Sequence, residues 1–300
     1  MTLTIGSRGS KLALWQAHYI QSALERQGHE CRIEIISTSG DRIQHVPLKE
    51  VGNKGLFTKE IEEALLDGRI DVAVHSLKDM PTHLPDGLQI TATPEREDAR
   101  DVMVGRKLDE LPQGARVGTG SLRRMAQLAA RRPDLVIESI RGNVDTRIRK
   151  LDEGQFAAIV LAAAGLNRLG WDDRIAEHLP VEIVCPAVGQ GALAIETRAD
   201  GGAGMLACEV LNHAETSAAV RAERAVLEML GGGCQVPVGA YAEVSRGRLR
   251  LRALVIAPDG TRQAKREAEG PAAEAVRIGH AIGLELLEAG GREILKSVAG

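Results

Sequence analysis

Aromatic side chains are scarce in this 300-residue chain, with two Trp, two Tyr and two Phe. Proteins that grip single-stranded nucleic acid stack bases on aromatic faces, so no nucleic-acid partner is expected. Cysteine is sparse too. Cys31, Cys185, Cys208 and Cys234 lie far apart with no C-x-x-C pair. That spacing argues against a zinc site and a disulfide framework, so no metal is expected and a reducing compartment is. No apolar run approaches membrane-spanning length, and Met1 to Arg8 lack a basic-then-apolar signal pattern. The expectation is a cytoplasmic protein with no membrane partner. Neither G-x-x-x-x-G-K-[ST] nor G-x-G-x-x-G occurs in a strand-to-helix context, which excludes P-loop and Rossmann nucleotide enzymes.

What is present is an ordinary apolar share of 44% in a chain long enough for two or three domains. The net charge of −3 hides an asymmetry. Residues 116 to 150 carry nine basic side chains against Asp134, Glu138 and Asp145, so this window is +6 and the remainder −9. A cationic patch on an acidic protein points to a small polyanion rather than to a duplex, which the remainder would repel.

Hydrophobic periodicity gives an α/β chain. Leu3 to Ile5 reads as a strand, and Ser10 caps a helix to about Gln27. Arg32 to Ser37 is a strand, Thr58 caps a helix ended by Gly68, and Ile70 to Val74 is a strand. The idiom repeats with strands at Arg116 to Gly118, Leu135 to Ile140 and Phe156 to Leu161. Between them run helices from Ser121 to about Arg131 and from Asn143 to Glu153. Such β–α–β–α–β order implies a mostly parallel sheet. From about residue 214 a long helix, Glu215 to Leu230, precedes strands at Val238 to Val244, Leu249 to Ile256 and Thr261 to Glu267. Pro271 then opens a helix to about Ala289. This last part reads as a small α+β domain with an antiparallel three-stranded sheet.

Ligands of open α/β sheets bind beyond the carboxyl ends of the strands. Arg8 and Ser10, Lys78 and Asp79, Thr119 to Arg124, and Arg141 to Asn143 all follow strands in this way. Guanidinium groups on several such loops suit the planar recognition of carboxylates. Asp79 is a lone acid among these cations. At ~4 Å a charge pair near a protein surface is worth about 4 kcal/mol, enough to stabilise a developing positive charge. Cys234 sits in Gly231-Gly232-Gly233-Cys234-Gln235-Val236-Pro237, a glycine-rich helix exit that presents a thiol rather than packing it.

Taken in order, these segments resemble the porphobilinogen deaminase family. They are Arg8-x-Ser10-x-Leu12-Ala13-Leu14-x-Gln16, Gly52-x-Lys54-Gly55-Leu56-Phe57, His75-Ser76-Leu77-Lys78-Asp79-x-Pro81 and Gly118-Thr119-x-Ser121-x-Arg123-Arg124. Further along come Arg141-Gly142-Asn143, Ala163-x-Gly165-Leu166-x-Arg168-Leu169, Pro186-Ala187-Val188-Gly189-Gln190-Gly191 and Gly232-Gly233-Cys234-Gln235-Val236-Pro237. The match runs over essentially the whole chain.

The resemblance implies two α/β domains like those of periplasmic binding proteins, plus the small C-terminal domain. Their boundaries are 1–95 with 190–210, 100–186, and 214–300. It implies an enzyme that joins four porphobilinogen molecules head to tail into hydroxymethylbilane, releasing ammonia. It also implies a dipyrromethane cofactor in thioether linkage to Cys234, and a monomer. Asp79 would be catalytic. Ser76, Lys78, Asp79, Thr119, Ser121, Arg123 and Arg124 would hold the cofactor. Arg8, Ser10, Gln16, Phe57, Arg141, Arg147, Arg168 and Gln190 would serve the substrate. Three positions depart from the family pattern: Glu50, Gly120 and Asp145. The rival reading is a non-catalytic binding protein for small polycarboxylates, which explains the arginines but leaves Cys234 without a task.

Overall fold

The structure, a computed structural model, describes residues 2–42, 57–231 and 237–299. Cys234, Glu50, the segment from Gly52 to Leu56 and the rest of residues 43–56 lie outside the described residues. In chain order the elements begin with β1 (Thr2–Ser7), α1 (Lys11–Glu25), β2 (Glu30–Ile35), α2 (Ser39–Arg42), α3 (Lys59–Leu66), β3 (Val72–Ser76) and β4 (Leu88–Ala92). They continue with β5 (Asp101–Val104), β6 (Arg116–Gly118), α4 (Leu122–Arg131), β7 (Val136–Glu138), α5 (Val144–Asp152), β8 (Ala158–Ala162), α6 (Ala163–Leu169) and β9 (Ile175–His178). After β10 (Leu193–Arg198) and α7 (Ala203–Glu209) come α8 (Ala214–Met229), β11 (Val238–Ser245), β12 (Arg248–Ile256), β13 (Gln263–Pro271), α9 (Ala275–Leu286) and α10 (Arg292–Ala299).

Contacts divide the chain into two compact units, residues 1–96 with 192–217, and residues 97–191 with 218–300. The first unit holds a five-stranded sheet in the order β2-β1-β3-β10-β4. Strands β1, β2 and β3 are parallel, whereas β10 runs antiparallel to both its neighbours. Leu3, Ile5, Val72, Val74 and Ile195 pack on Ala17, Ile20 and Leu24 of α1. Ile61 and Leu65 of α3 pack in a second cluster with Ile70 and Ala73. Fully burying each such Leu or Ile is worth about 1.5–3 kcal/mol.

The second unit contains a sheet ordered β7-β6-β8-β5-β9 and the antiparallel sheet β11-β12-β13. Here β6, β7 and β8 are parallel, and β5 runs antiparallel to β8 and β9. The fold class is thus mixed α/β with two five-stranded sheets and one small antiparallel sheet, as expected. The expectation of a mostly parallel sheet holds, since four of the five strands in each large sheet share one direction. In each large sheet one inner strand, β10 or β5, enters against the direction of the βαβ units beside it.

Thr58 is the N-cap of α3, but its hydroxyl makes no cap hydrogen bond, and its backbone carbonyl accepts from Ile61 and Glu62. Pro271 ends β13 opposite Arg248, where lacking an N–H costs little, and it opens the helical stretch as expected, through a 3₁₀ turn, Ala272–Glu274, that runs into α9. The turn Arg246-Gly247 joining β11 to β12 has positive φ at both residues, as a tight two-residue hairpin requires.

Candidate active site

In the first unit β1 and β3 are parallel neighbours, so their carboxyl ends open side by side. At the end of β1, Ser7 is fully buried and donates to the Ala13 carbonyl at 3.1 Å. Ser10 caps α1, its Oγ accepting from Ala13 N at 3.3 Å. The half-buried Arg8 guanidinium lies 4.2 Å from the centroid of the Phe57 ring, in cation–π geometry. From α1, buried Gln16 donates Nε2 to Ser76 Oγ at 2.8 Å, tying the helix to the end of β3.

After Ser76 the chain makes one 3₁₀ turn, Leu77–Asp79. Buried Leu77 and Met80 anchor it, and Leu77 N donates to Ala192 O at 3.0 Å. The turn leaves Lys78 half-buried and Asp79 exposed. Directly beneath, His75 Nε2 lies 3.0 Å from Glu196 Oε2 in the interior of the unit. The structure therefore brings Arg8 with Phe57 and Gln16 with Ser76, and puts Lys78 and Asp79 on one rigid turn.

In the second unit the parallel strands β6 and β7 likewise end together. Thr119 is fully buried and its N–H donates to Glu138 O at 2.9 Å. Ser121 caps α4, leaving first-turn N–H groups and the positive helix end toward the loop. A Cβ on Gly120 would stand 2.9 Å from the Ile140 carbonyl oxygen, so the loops after β6 and β7 touch at a residue without a side chain. Arg147 Nε donates to Gly142 O at 2.8 Å, and Lys150 Nζ donates to Arg141 O at 3.2 Å. Asp145 is exposed in the first turn of α5, where a negative charge suits the helix dipole.

Arg123 and Arg124 point inward. Arg123 Nη1 donates at 2.6 Å to both Asp101 Oδ2 and the Cys185 carbonyl. Arg124 Nε donates to Asp101 Oδ1 at 2.9 Å and Nη1 to Val160 O at 3.0 Å. Gln190 Nε2 reaches Asp101 Oδ1 at 2.8 Å and the Ala99 carbonyl at 2.7 Å. Burial works to raise the Asp101 carboxyl, but the charges of Arg123 and Arg124 and the hydrogen bonds prevail and hold it far below the usual carboxylate range. Burial in turn lowers Arg124 against the opposing pull of Asp101. Arg123 Nε is buried with no acceptor among the described residues. An unanswered buried N–H costs about 1–3 kcal/mol. Nearby, Arg168 Nη2 donates to Gly191 O at 2.7 Å.

Asp101 was not among the residues read from sequence. It lies in Glu95-Arg96-Glu97-Asp98-Ala99-Arg100-Asp101, a charged run in which nothing marks one acid as interior. The cationic window is also less free than its composition suggests. Arg116 pairs with Glu138, Arg132 with Asp134 and Arg149 with Glu153, in addition to the Asp101 pairs. Among the described residues no group of three or more His, Cys, Asp or Glu is arranged to hold a metal, and no helix is long and apolar enough to cross a membrane.

Comparison with known proteins bears directly on this arrangement. The family model for the porphobilinogen deaminase dipyromethane cofactor binding domain matches residues 3–204, and that for the C-terminal domain of the same family matches 217–288. The porphobilinogen deaminase of Geobacter sulfurreducens is 51% identical over 99% of this chain and 94% of its own length. That of Pelobacter propionicus is 52% identical over 99% of this chain and 97% of its own. Among solved structures the chain is similar to the methionine binding protein MetQ, at 15% identity and a TM-score of 0.45, over 70% of this chain and 89% of that one. Two family models in register along the chain, with relatives at half identity from end to end, place it in the porphobilinogen deaminase family.

Proposed function

We infer that this protein joins four porphobilinogen molecules head to tail into the linear tetrapyrrole hydroxymethylbilane. Each coupling forms one carbon–carbon bond between the aminomethyl carbon of one unit and the free pyrrole α-carbon of another. The amine departs as ammonia, taking up the proton that the α-carbon gives up. Family membership over the whole chain carries the reading. A plain polycarboxylate binder is not favoured, because the matched family model is that of a cofactor-binding enzyme domain.

The dipyrromethane, attached through a thioether to Cys234, supplies the pyrrole α-carbon on which the chain begins. Donors in the second unit support the holding of such a polycarboxylate: the first turn of α4, the Ser121 hydroxyl, and a buried Arg123 Nε–H with no acceptor among the described residues. Thr119, Ser121, Arg123 and Arg124, with Ser76 and Lys78, would hold its acetate and propionate groups. Arg8, Ser10, Gln16, Phe57, Arg141, Arg147, Arg168 and Gln190 would serve the incoming substrate. Those among them that donate to backbone carbonyls or to other side chains act by fixing loops as well as by charge.

Asp79 stabilises the positive charge that develops as ammonia leaves, and accepts the pyrrole N–H. Its rigid turn and its exposure to approaching substrate support that role. The three separate sheets, each with its own buried cluster, support a division into domains at 1–95 with 190–210, 100–186, and 214–300. The enzyme acts as a cytoplasmic monomer that needs neither nucleic acid nor a membrane.

Intact-protein mass and product analysis test the reading together. The chain should weigh more than its sequence by one dipyrromethane, and should convert porphobilinogen to hydroxymethylbilane with one ammonia per unit joined. A chain that carries no adduct after incubation with porphobilinogen is not this enzyme.

A further inference from the structure

We propose that Asp101 is a positioning residue for cofactor recognition, holding Arg123 and Arg124 as one rigid, singly positive anion receptor. The proposal rests on the reading that these arginines hold the dipyrromethane.

Asp101 opens β5 with no exposed surface, and its carboxylate takes both arginines at once, Arg123 on Oδ2 and Arg124 on Oδ1. The arrangement needs explaining because the arginines are adjacent in the first turn of α4, where the helix end is itself positive. Two guanidinium groups buried there repel each other and the helix, so an interior anion must compensate them. One carboxylate against two guanidiniums leaves a net charge of +1. It also takes up the donors that would otherwise let either side chain swing outward.

The remaining contacts complete the frame. Carbonyls of Cys185 and Val160 each accept from one guanidinium, and Gln190 bridges Asp101 Oδ1 to Arg124 Nη2 at 2.8 and 3.3 Å. In this frame Arg123 Nε–H is a buried donor that has no acceptor among the described residues. A receptor with its geometry set before the ligand arrives spends no binding energy on ordering it.

The test compares wild type with Asp101→Asn and Asp101→Glu as full-length apoproteins, made in cells that supply no porphobilinogen. The readout is the rate of adduct formation per folded chain on adding porphobilinogen, followed by intact mass, with the folded fraction taken from circular dichroism. Asp101→Asn should load at least about tenfold more slowly per folded chain, since a misplacement near 1 Å costs up to a hundredfold. Asp101→Glu keeps the charge and should recover part of the rate. Gln127→Met, which changes no charge and loosens the Cys185 carbonyl that accepts from Arg123, should also slow loading, and decides the matter if neither Asp101 variant folds.

A second readout is the split between kcat and KM in loaded chains. The frame acts on the resident group, so kcat per adduct-bearing chain should fall while KM for porphobilinogen changes less than about twofold. A merely structural role would lower the yield of folded chain and leave loading and kcat per folded chain unchanged. That result in the folding variants overturns the proposal. If wild type itself acquires no adduct, the underlying functional reading fails instead.

Discussion

His75 and Glu196 form an ion pair or hydrogen bond 3.0 Å long between β3 and β10, with side chains 4% and 0% exposed. A second carboxylate, Glu62 of α3, is buried in the same unit, 6% exposed, and neither its Oε1 nor that of Glu196 has a partner among the described residues. Burial raises the Glu62 carboxyl above its ordinary value of 4.5, and the negative charge of Glu196 raises it further.

The folded protein therefore holds the Glu62 proton more tightly than the unfolded chain does. Its contribution to stability is fully present below pH 4.5 and is lost as pH rises through the raised folded value. Glu62→Gln, which keeps the shape and removes the charge, should melt at a higher temperature than wild type at pH 8. The gap should narrow toward pH 4.5. Thermal melts over that range check it, and parallel curves would refute it.

Much of the first unit was legible from local pattern, because β1, β3, α1 and α3 announce themselves by alternation, apolar stripes and stop glycines. Strands β4, β5, β9 and β10 were not read. They are four to six residues long and gain their identity by pairing with partners far along the chain, as Leu193 does with Ser76. The candidate site divides in the same way. Arg123 and Arg124 were legible as residue types at a strand exit, and Gln16 and Ser76 through the family resemblance. Their partners were not, because Gln16 meets Ser76 across 60 positions and Arg123 meets Asp101 across 22. Nor does composition reveal that the two arginines face inward, since burial is decided by the tertiary fold.

The thiols should differ sharply in reactivity. Burial pushes Cys185 and Cys208 up to about 12, and both have at most 1% of their surface exposed. Cys31 is partly exposed and is raised by burial, then by Glu25 and Glu30. The thiolate is the reacting form, so at pH 8 iodoacetamide should leave Cys185 and Cys208 unlabelled in the native chain and reach Cys31 first. Apoprotein should take one more label than adduct-bearing protein, at Cys234. Peptide mapping reads all four, and native labelling of Cys185 as fast as in urea would contradict the burial argument.

Gly191 offers a test of backbone strain. Its φ is +86°, and a Cβ there would stand 2.3 Å from the Glu97 carbonyl oxygen, the residue whose N–H donates to Gly191 O. Gly170 also has positive φ, +67°, but a Cβ would meet nothing within 4 Å. Gly170→Ala should therefore cost only the conformational penalty, about 1 kcal/mol. Gly191→Ala adds a clash with backbone that has no flexible end to yield, and should cost at least about 3 kcal/mol. Urea denaturation of the two variants separates the terms, and equal losses would show that the backbone at Glu97 gives way freely.

Asp79→Asn separates chemistry from folding. The side chain is exposed at the end of its 3₁₀ turn, and the turn itself is held by Leu77, Met80 and backbone hydrogen bonds. Losing the charge should therefore change stability by less than about 0.5 kcal/mol. Cofactor attachment depends on Cys234 rather than on Asp79, so the variant should still carry the adduct by intact mass, whereas Cys234→Ser should carry none. Turnover is another matter, because an isosteric amide cannot balance the charge that develops as ammonia leaves. Removing one electrostatic stabiliser of a transition state costs on the order of a hundred- to a thousandfold in kcat. Asp79→Asn should show that loss with the KM for porphobilinogen little changed, measured as ammonia release per loaded chain. Full activity in a loaded Asp79→Asn enzyme would mean that the positive charge is balanced elsewhere.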